Sequence, residues 1–176
     1  MMRAPTSYAG PRRSENEREV TVSQSKKSNT AKGFGTVEHL LAEKGNAIFS
    51  VRRDDPMQKA VDLLGEKRIG ALLVLSEAGD LEGILSERDI VRKLSETPGK
   101  VLEQKVEVLM TRTVKTCTPD EPLMAVLRTM TDGRFRHMPV MRGAQVIGIV
   151  TIGDVVHYRL RELEHETVKL KQMIVG

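Results

Sequence analysis

Gly83-Ile84-Leu85-Ser86-Glu87-Arg88-Asp89 and Gly148-Ile149-Val150-Thr151-Ile152-Gly153-Asp154 carry one pattern twice: a glycine, two aliphatic residues, a hydroxyl residue and, three positions on, an aspartate. Working back from them, a shift of 66 lays Pro56 on Pro122, Met57 on Leu123, Val61 on Leu127, Leu64 on Met130, Arg68 on Arg134 and Val74 on Val140. After the polar turns the shift becomes 65, because Arg142-Gly143-Ala144-Gln145 is one residue shorter than its counterpart. Such self-similarity marks a repeat architecture and governs everything else in the reading.

Within each copy the local signals agree. Asp54-Asp55-Pro56 and Asp120-Glu121-Pro122 predict helix starts, with Pro at the first helical position and a carboxylate capping the orphan amides. Met57, Ala60, Val61 and Leu64, and then Leu123, Val126, Leu127 and Met130, form one apolar helical face each. Ala71 to Leu75 predicts a buried strand, Glu77-Ala78-Gly79-Asp80 a hairpin turn, and Leu81 to Leu85 its partner; a second helix is expected from near Asp89 to about Ser95. An extended run, Ala47 to Val51, precedes the first helix. Upstream, Val37, Leu40 and Leu41 predict a short leading helix ending near Gly45.

Each copy therefore reads strand, helix, strand, strand, helix in about 60 residues, too little to bury a sheet alone. The expected fold is a mixed α+β or α/β pair of β-α-β-β-α repeats packed about a pseudo-twofold axis, with a flexible N-terminal tail and a long C-terminal helix. The division is 1–32 basic tail, 33–100 first repeat with its leading helix, 101–160 second repeat, and 161–176 helical extension.

Composition narrows the function. Of 176 residues 39% are apolar and 30% charged, and no apolar run is long enough to span a membrane. The single cysteine, Cys117, forbids an internal disulfide and points to a reducing, cytoplasmic setting. The net charge of +4 resides in residues 1–32, where seven Lys/Arg face three Glu; the other 144 residues balance at 21 against 21. The globule thus lacks an electrostatic reason to seek nucleic acid, and with three Phe, two Tyr and no Trp in the whole chain stacking platforms are hard to assemble. The tail is read as a solvated extension, the alternative being contact with nucleic acid or an acidic partner.

At this point the chain resembles tandem cystathionine β-synthase (CBS) domains, the Bateman module. The paired Gly-apolar-apolar-Ser/Thr-x-x-Asp stretches and Arg136-His137-Met138-Pro139-Val140 carry the likeness, over roughly residues 36 to 160. It is similar to small stand-alone bacterial CBS pairs that hold AMP or NAD(H). The chemistry fits: a carboxylate accepts from both vicinal hydroxyls of a ribose in charge-assisted bonds of about 1.5 to 3 kcal/mol each. Asp89 and Asp154 are the candidates, with Ser86 and Thr151 one turn away. Arg136 and His137, with Arg134, Arg88 and Lys115, are the phosphate candidates.

The resemblance implies shared clefts. Thr151 and Asp154 are expected to work with Ser50, Arg52 and the strand start Gly70-Ala71-Leu72, and with Arg136 and His137. Ser86 and Asp89 are expected to work with Thr116, Thr118, Asp120, Met138 and Pro139. Ile152-Gly153 in place of Glu87-Arg88 removes one cation, so the two sites need not share a ligand. Other readings stay open: Asp89 and Asp154 as helix caps, His137 as a core histidine, Arg68 and Arg134 as helix-end residues. Cys117 has no His or Asn pattern around it and reads as a buried small residue. His39, His157 and His165 lack metal-ligand spacing. Gly143 to Gly148 joins two strands of a hairpin and is no dinucleotide fingerprint.

Val156, Leu160, Leu163, Thr167, Leu170 and Ile174 alternate by four and three, a seam that suits a second subunit in a homodimer, the alternative being a helix lying across its own domain. The expectation is a non-catalytic sensor of adenosine nucleotides, AMP, NAD or NADH and ATP, acting in trans on a protein target the sequence does not name. An S-adenosyl ligand fits the ribose chemistry equally well, and an enzyme acting on the nucleotide is the remaining class.

Overall fold

Thr36 opens the first helix, α1 (Val37–Lys44): its hydroxyl accepts from the His39 amide while the His39 ring accepts from the Thr36 amide, and Gly45 at φ 86° ends it. The structure is a computed structural model and describes residues 35–97 and 99–175; the expectations for residues 1–32 and for the side chain of Ile174 lie outside what it describes. After α1 come β1 (Ser50–Val51), α2 (Met57–Lys67), β2 (Ala71–Leu75), β3 (Leu81–Ser86) and α3 (Glu87–Glu96). A 3-10 turn at Val106–Val108 leads into α4 (Leu123–Asp132), β4 (His137–Arg142), β5 (Gln145–Thr151) and α5 (Ile152–Val175).

The fold is the expected mixed α and β pair of repeats. In the first, β1 runs parallel to β2, and β2 pairs antiparallel with β3, Ala71 opposite Ser86. In the second, β4 pairs antiparallel with β5, His137 opposite Thr151. The counterpart of β1 shrinks to one parallel bridge, Cys117 with Val140, where Val51 pairs with Val74 in the first copy. Both hairpins even break register at matching points, Val74/Leu75 and Val140/Met141.

Three local expectations need correction. The run from Ala47 to Val51 pairs only at Ser50 and Val51. Pro56 and Pro122 are themselves the N-caps, without side-chain caps; Asp55 instead accepts from the Arg52 amide at 2.8 Å and from Lys59. α3 starts two residues before Asp89, because Ser86 is its N-cap.

The amides left uncapped by Pro56 and Pro122 are satisfied from a distance. Met57 and Gln58 donate to the carbonyls of Gln104 and Leu102, at 2.7 and 3.1 Å, and Leu123 donates to Gly35 at 3.0 Å. The segment leading into each repeat thus docks on the other. Val37, Leu40 and Leu41 join the core of Leu123, Val126, Met130, Met138, Val140 and Val150. Val101, Val106 and Met110 join that of Met57, Leu64, Leu72, Val74 and Leu85. A fully buried Val or Leu contributes about 1.5–3 kcal/mol by transfer, so the six exchanged residues weigh heavily in a fold of this size.

One close approach in this exchange is at Gly83. A Cβ there would sit 2.9 Å from the Thr111 carbonyl oxygen and 3.1 Å from the Met110 sulfur, where Ile84 and Thr111 trade backbone hydrogen bonds of 3.0 and 2.8 Å. Gly83→Ala is therefore expected to destabilise the protein by about 1–3 kcal/mol in urea denaturation. An unchanged midpoint would show that the 101–111 segment yields freely.

Candidate functional site

Both motif aspartates serve in reciprocal caps. In α3 the Ser86 hydroxyl accepts from the Asp89 amide, and Asp89 Oδ2 accepts from the Ser86 amide at 3.4 Å and from the Ser86 hydroxyl at 2.5 Å. In α5 the Thr151 hydroxyl accepts from the Asp154 amide at 3.0 Å, and Asp154 Oδ2 accepts from the Thr151 amide at 2.9 Å. The hydroxyl residue is the N-cap and the aspartate the third helical residue. Each carboxylate is thereby fixed at a positively polarised helix end with its second oxygen turned elsewhere. Asp89 Oδ1 meets Arg92 at 3.3 Å, whereas Asp154 pairs through Oδ2 with Lys44 at 2.6 Å.

The two helix ends border two clefts between the repeats. The larger, 540 Å³, is lined by Ser86, Arg88 and Asp89 of the first repeat and by Lys115, Arg134, Arg136 and His137 of the second. The smaller, 400 Å³, brings Thr151, Asp154 and His137 against Gly70 and Ala71, with Lys44, Phe49 and Arg68. Both fall within the usual size of small-molecule sites.

Gly70 and His137 form the wall common to both. A Cβ on Gly70 would lie 3.1 Å from the His137 ring, so glycine lets the repeats close on each other here. Glu87 donates to the Gly70 carbonyl at 3.0 Å, and at the equivalent position Ile152 donates to the Arg136 carbonyl at 3.1 Å. Arg68 and Arg134 both adopt left-handed backbone, φ 52° and 56°, at their helix ends, a conformation that costs a non-glycine residue about 1–2 kcal/mol. Their helix-end role is geometric, and each also faces a cleft.

Other sequence candidates lie outside the linings. Leu72 is wholly buried in the first core, and Met138 and Pro139 are buried in β4. Ser50 sits exposed in β1, while Arg52 pairs with Glu77 at 2.9 Å. Thr116, Thr118 and Asp120 lie on the exposed run before α4, where the Thr118 amide donates to Glu121 at 2.9 Å. Lys44, Phe49 and Arg92 escaped the sequence reading. Lys44 reaches the cleft only because α1 docks on the second repeat, which no short-range signal announces. Phe49 was within reach: it is the counterpart of Lys115 under the 66-residue shift.

Burial opposes ionisation of Asp154, but the Lys44 ammonium and the Thr151 amide and hydroxyl outweigh it and hold the carboxyl below its ordinary range. For His137, burial disfavours the imidazolium; Asp154 works against this, while Arg136, Lys44 and Arg88 add to it, and the result is a lowered pKa. The ring is therefore neutral at pH 7, able to give one N–H hydrogen bond rather than a full charge. Burial, with Glu121 nearby, pushes the Cys117 thiol up to about 12.

Comparison with known proteins agrees with this geometry. The CBS domain family model matches twice, over residues 46–96 and 106–161, and the chain belongs to that family as a pair of repeats. A mitochondrial CBS domain-containing protein of Arabidopsis thaliana is 33% identical over 149 residues, 80% of this chain and 72% of that protein. The crystal structure of a CBS-domain-containing protein from Agrobacterium tumefaciens superposes with a TM-score of 0.69 at 36% identity, covering 70% of this chain and 98% of that one. A CBS domain pair crystallised in complex with 5'-methylthioadenosine and S-adenosyl-L-methionine is 26% identical with a TM-score of 0.63, covering 70% and 94%. The class is regulatory and ligand-binding.

Two outcomes follow from the titrations. His137 has a folded pKa below its unfolded 6.5, so its contribution to stability is complete above pH 6.5 and is lost as pH falls from there through the folded value. Unfolding free energy should decline between pH 7.5 and 5.5, and the decline should shrink in His137→Gln; equal slopes would contradict the assignment. Asp154 adds its own loss only below about pH 3.8. Separately, Cys117 should react with a thiol reagent at pH 8 no faster than the chain unfolds, whereas rapid labelling of the native protein would contradict its burial.

Proposed function

We propose that the protein is a sensor of adenosine nucleotides, AMP, NAD(H) or ATP, which it binds in the clefts between its repeats without catalysing their conversion. The observation that carries this reading is the doubled helix-end carboxylate, Asp89 and Asp154, each fixed at the mouth of an inter-repeat cleft that also holds arginines or lysine. One carboxylate suits a ribose diol, and the cations suit phosphate. The non-catalytic reading is supported by the chemistry at hand: the Cys117 thiol is buried and its pKa raised to about 12, and among the described residues no carboxylate is hydrogen-bonded to the His137 ring to act as an orienting partner. S-adenosyl compounds are the second reading, favoured by the adenosyl ligands of the related pair above.

The signal is read in trans by a protein target, in the cytoplasm; among the described residues no helix is long and apolar enough to cross a membrane. The working unit in this proposal is a homodimer. Val156, Leu160, Leu163 and Leu170 are exposed along α5, 42 to 59% each, at the four-and-three spacing of a helical seam. The division into tail, two repeats and helical extension stands as part of the same proposal.

Calorimetric titration of the nucleotide-stripped protein with AMP, ATP, NAD, NADH and S-adenosylmethionine tests the ligand. Binding near −8 kcal/mol or better is expected for at least one, with a loss of tenfold or more at one site in Asp154→Asn. Absence of heat with every compound would reduce both aspartates to helix caps. Light scattering tests the assembly: twice the 19.6 kDa chain mass is expected, falling to the single chain in Leu160→Glu/Leu163→Glu. A wild-type monomer would remove the dimer from the proposal.

A further inference from the structure

We infer that the two clefts take different classes of adenosine ligand: the larger a nucleotide bearing a pyrophosphate, the smaller an adenosine compound with at most one phosphate. The inference rests on the adenosine reading above and adds which cleft receives which charge.

The first observation is charge. Five cations, Arg88, Arg92, Lys115, Arg134 and Arg136, line the larger cleft against two carboxylates, Glu87 and Asp89, with Arg92 engaged by Asp89 at 3.3 Å. The smaller has two, Lys44 and Arg68, against Asp154 alone, and one of those two is already engaged by that carboxylate at 2.6 Å. His137, common to both, is held neutral by its burial and cannot correct the imbalance. A pyrophosphate needs several convergent donors, and only the larger cleft has them.

The second observation is how the difference arises. The repeat shift places Gly153 where the first copy has Arg88, His157 where it has Arg92, and Phe49 where the second copy has Lys115. Three cations of one cleft thus correspond to a glycine, a histidine and an aromatic ring at the positions related by the pseudo-twofold axis. Phe49 lines the smaller cleft and is capped from outside by the Lys67 ammonium 6.0 Å from its ring centre, an apolar wall suited to a base. Arg88 is held in place in the other, donating to the Arg134 carbonyl at 3.2 Å across the repeat boundary. The volumes, 540 against 400 Å³, run the same way.

The test is calorimetry of the full chain with ADP, AMP and adenosine at low and moderate salt, on wild type, Arg92→Gln/Lys115→Gln and Lys44→Met. ADP should fill one site per chain with a strong salt dependence, and AMP should fill a second site in the ADP-saturated protein. The double variant should weaken ADP at least tenfold and flatten its salt dependence, with its affinity for adenosine falling less than threefold. Lys44→Met should change AMP binding to the ADP-saturated protein more than it changes ADP. Equal affinity of ADP for two sites, or equal loss of ADP in both variants, overturns the partition while leaving the adenosine reading intact. Failure of all three compounds to bind overturns both.

Discussion

Each repeat lends the other the segment that completes it. The amides at the start of α2 find their acceptors in residues 102 and 104, those of α1 and α4 in an exchange between residues 35–38 and 119–123, and the same segments fill the opposite cores. A sheet of two or three short strands with two helices does not bury enough apolar surface to fold by itself. The exchange removes that deficit for both copies at once. It also dictates where the clefts lie, since two repeats joined by reciprocal segments must face each other across Gly70 and His137.

The motif that repeats in the sequence lets one carboxylate serve a helix cap and, in the proposed function, a ligand. As the third residue of its helix, Asp89 or Asp154 closes a reciprocal cap with one oxygen, which stabilises the helix start and orients the side chain. The helix end then supports the negative charge; Asp154 Oδ1 remains for chemistry at the cleft, whereas Asp89 Oδ1 meets Arg92 at 3.3 Å. Cap and ligand site are therefore complementary readings of the same residues. The left-handed arginines at the ends of α2 and α4 fit this picture: glycine would fill those positions without strain, yet both copies place a guanidinium at a cleft there.

The fold was legible because its signals are short-range and doubled. The apolar face of Met57, Ala60 and Leu64, the strand from Ala71 to Leu75 and both hairpin turns depend on neighbours within a few residues, and the repeat supplied an independent second copy of each. The misread points depend on distant partners. Asp55 looked like a cap until the carbonyls of residues 102 and 104 took the helix amides. Ser50, Thr116 and Met138 sit beside true lining residues, but alternate strand positions face opposite ways, and a one-residue error turns a cleft residue into a core or surface one. His137 and Ala71, counterparts under the repeat shift, were both placed in a site by the family resemblance; that one ring would border two clefts follows only from the packing.

The ion pair between Lys44 and Asp154 joins the exchange of segments to the chemistry of the smaller cleft. Lys44 ends α1, which belongs to the first repeat in sequence and to the second in packing; Asp154 lies in the first turn of α5. Arg161 with Glu43, and Tyr158 packed on Gly35, tie the same two helices further along. A ligand hydroxyl that approaches Asp154 Oδ1 leaves the ammonium in place and adds to the tie, whereas one that takes Oδ2 must displace it and loosen the end of α1. A ligand bound as proposed would shift the balance between these two arrangements only by its difference in affinity for them. Moving such a balance from one in a hundred to ninety-nine in a hundred requires about 5.5 kcal/mol of that difference. One partly exposed ion pair contributes no more than about 1 kcal/mol toward it. A switch built here must therefore also draw on the core contacts of Val37, Leu40 and Leu41, which move only if the whole leading segment moves.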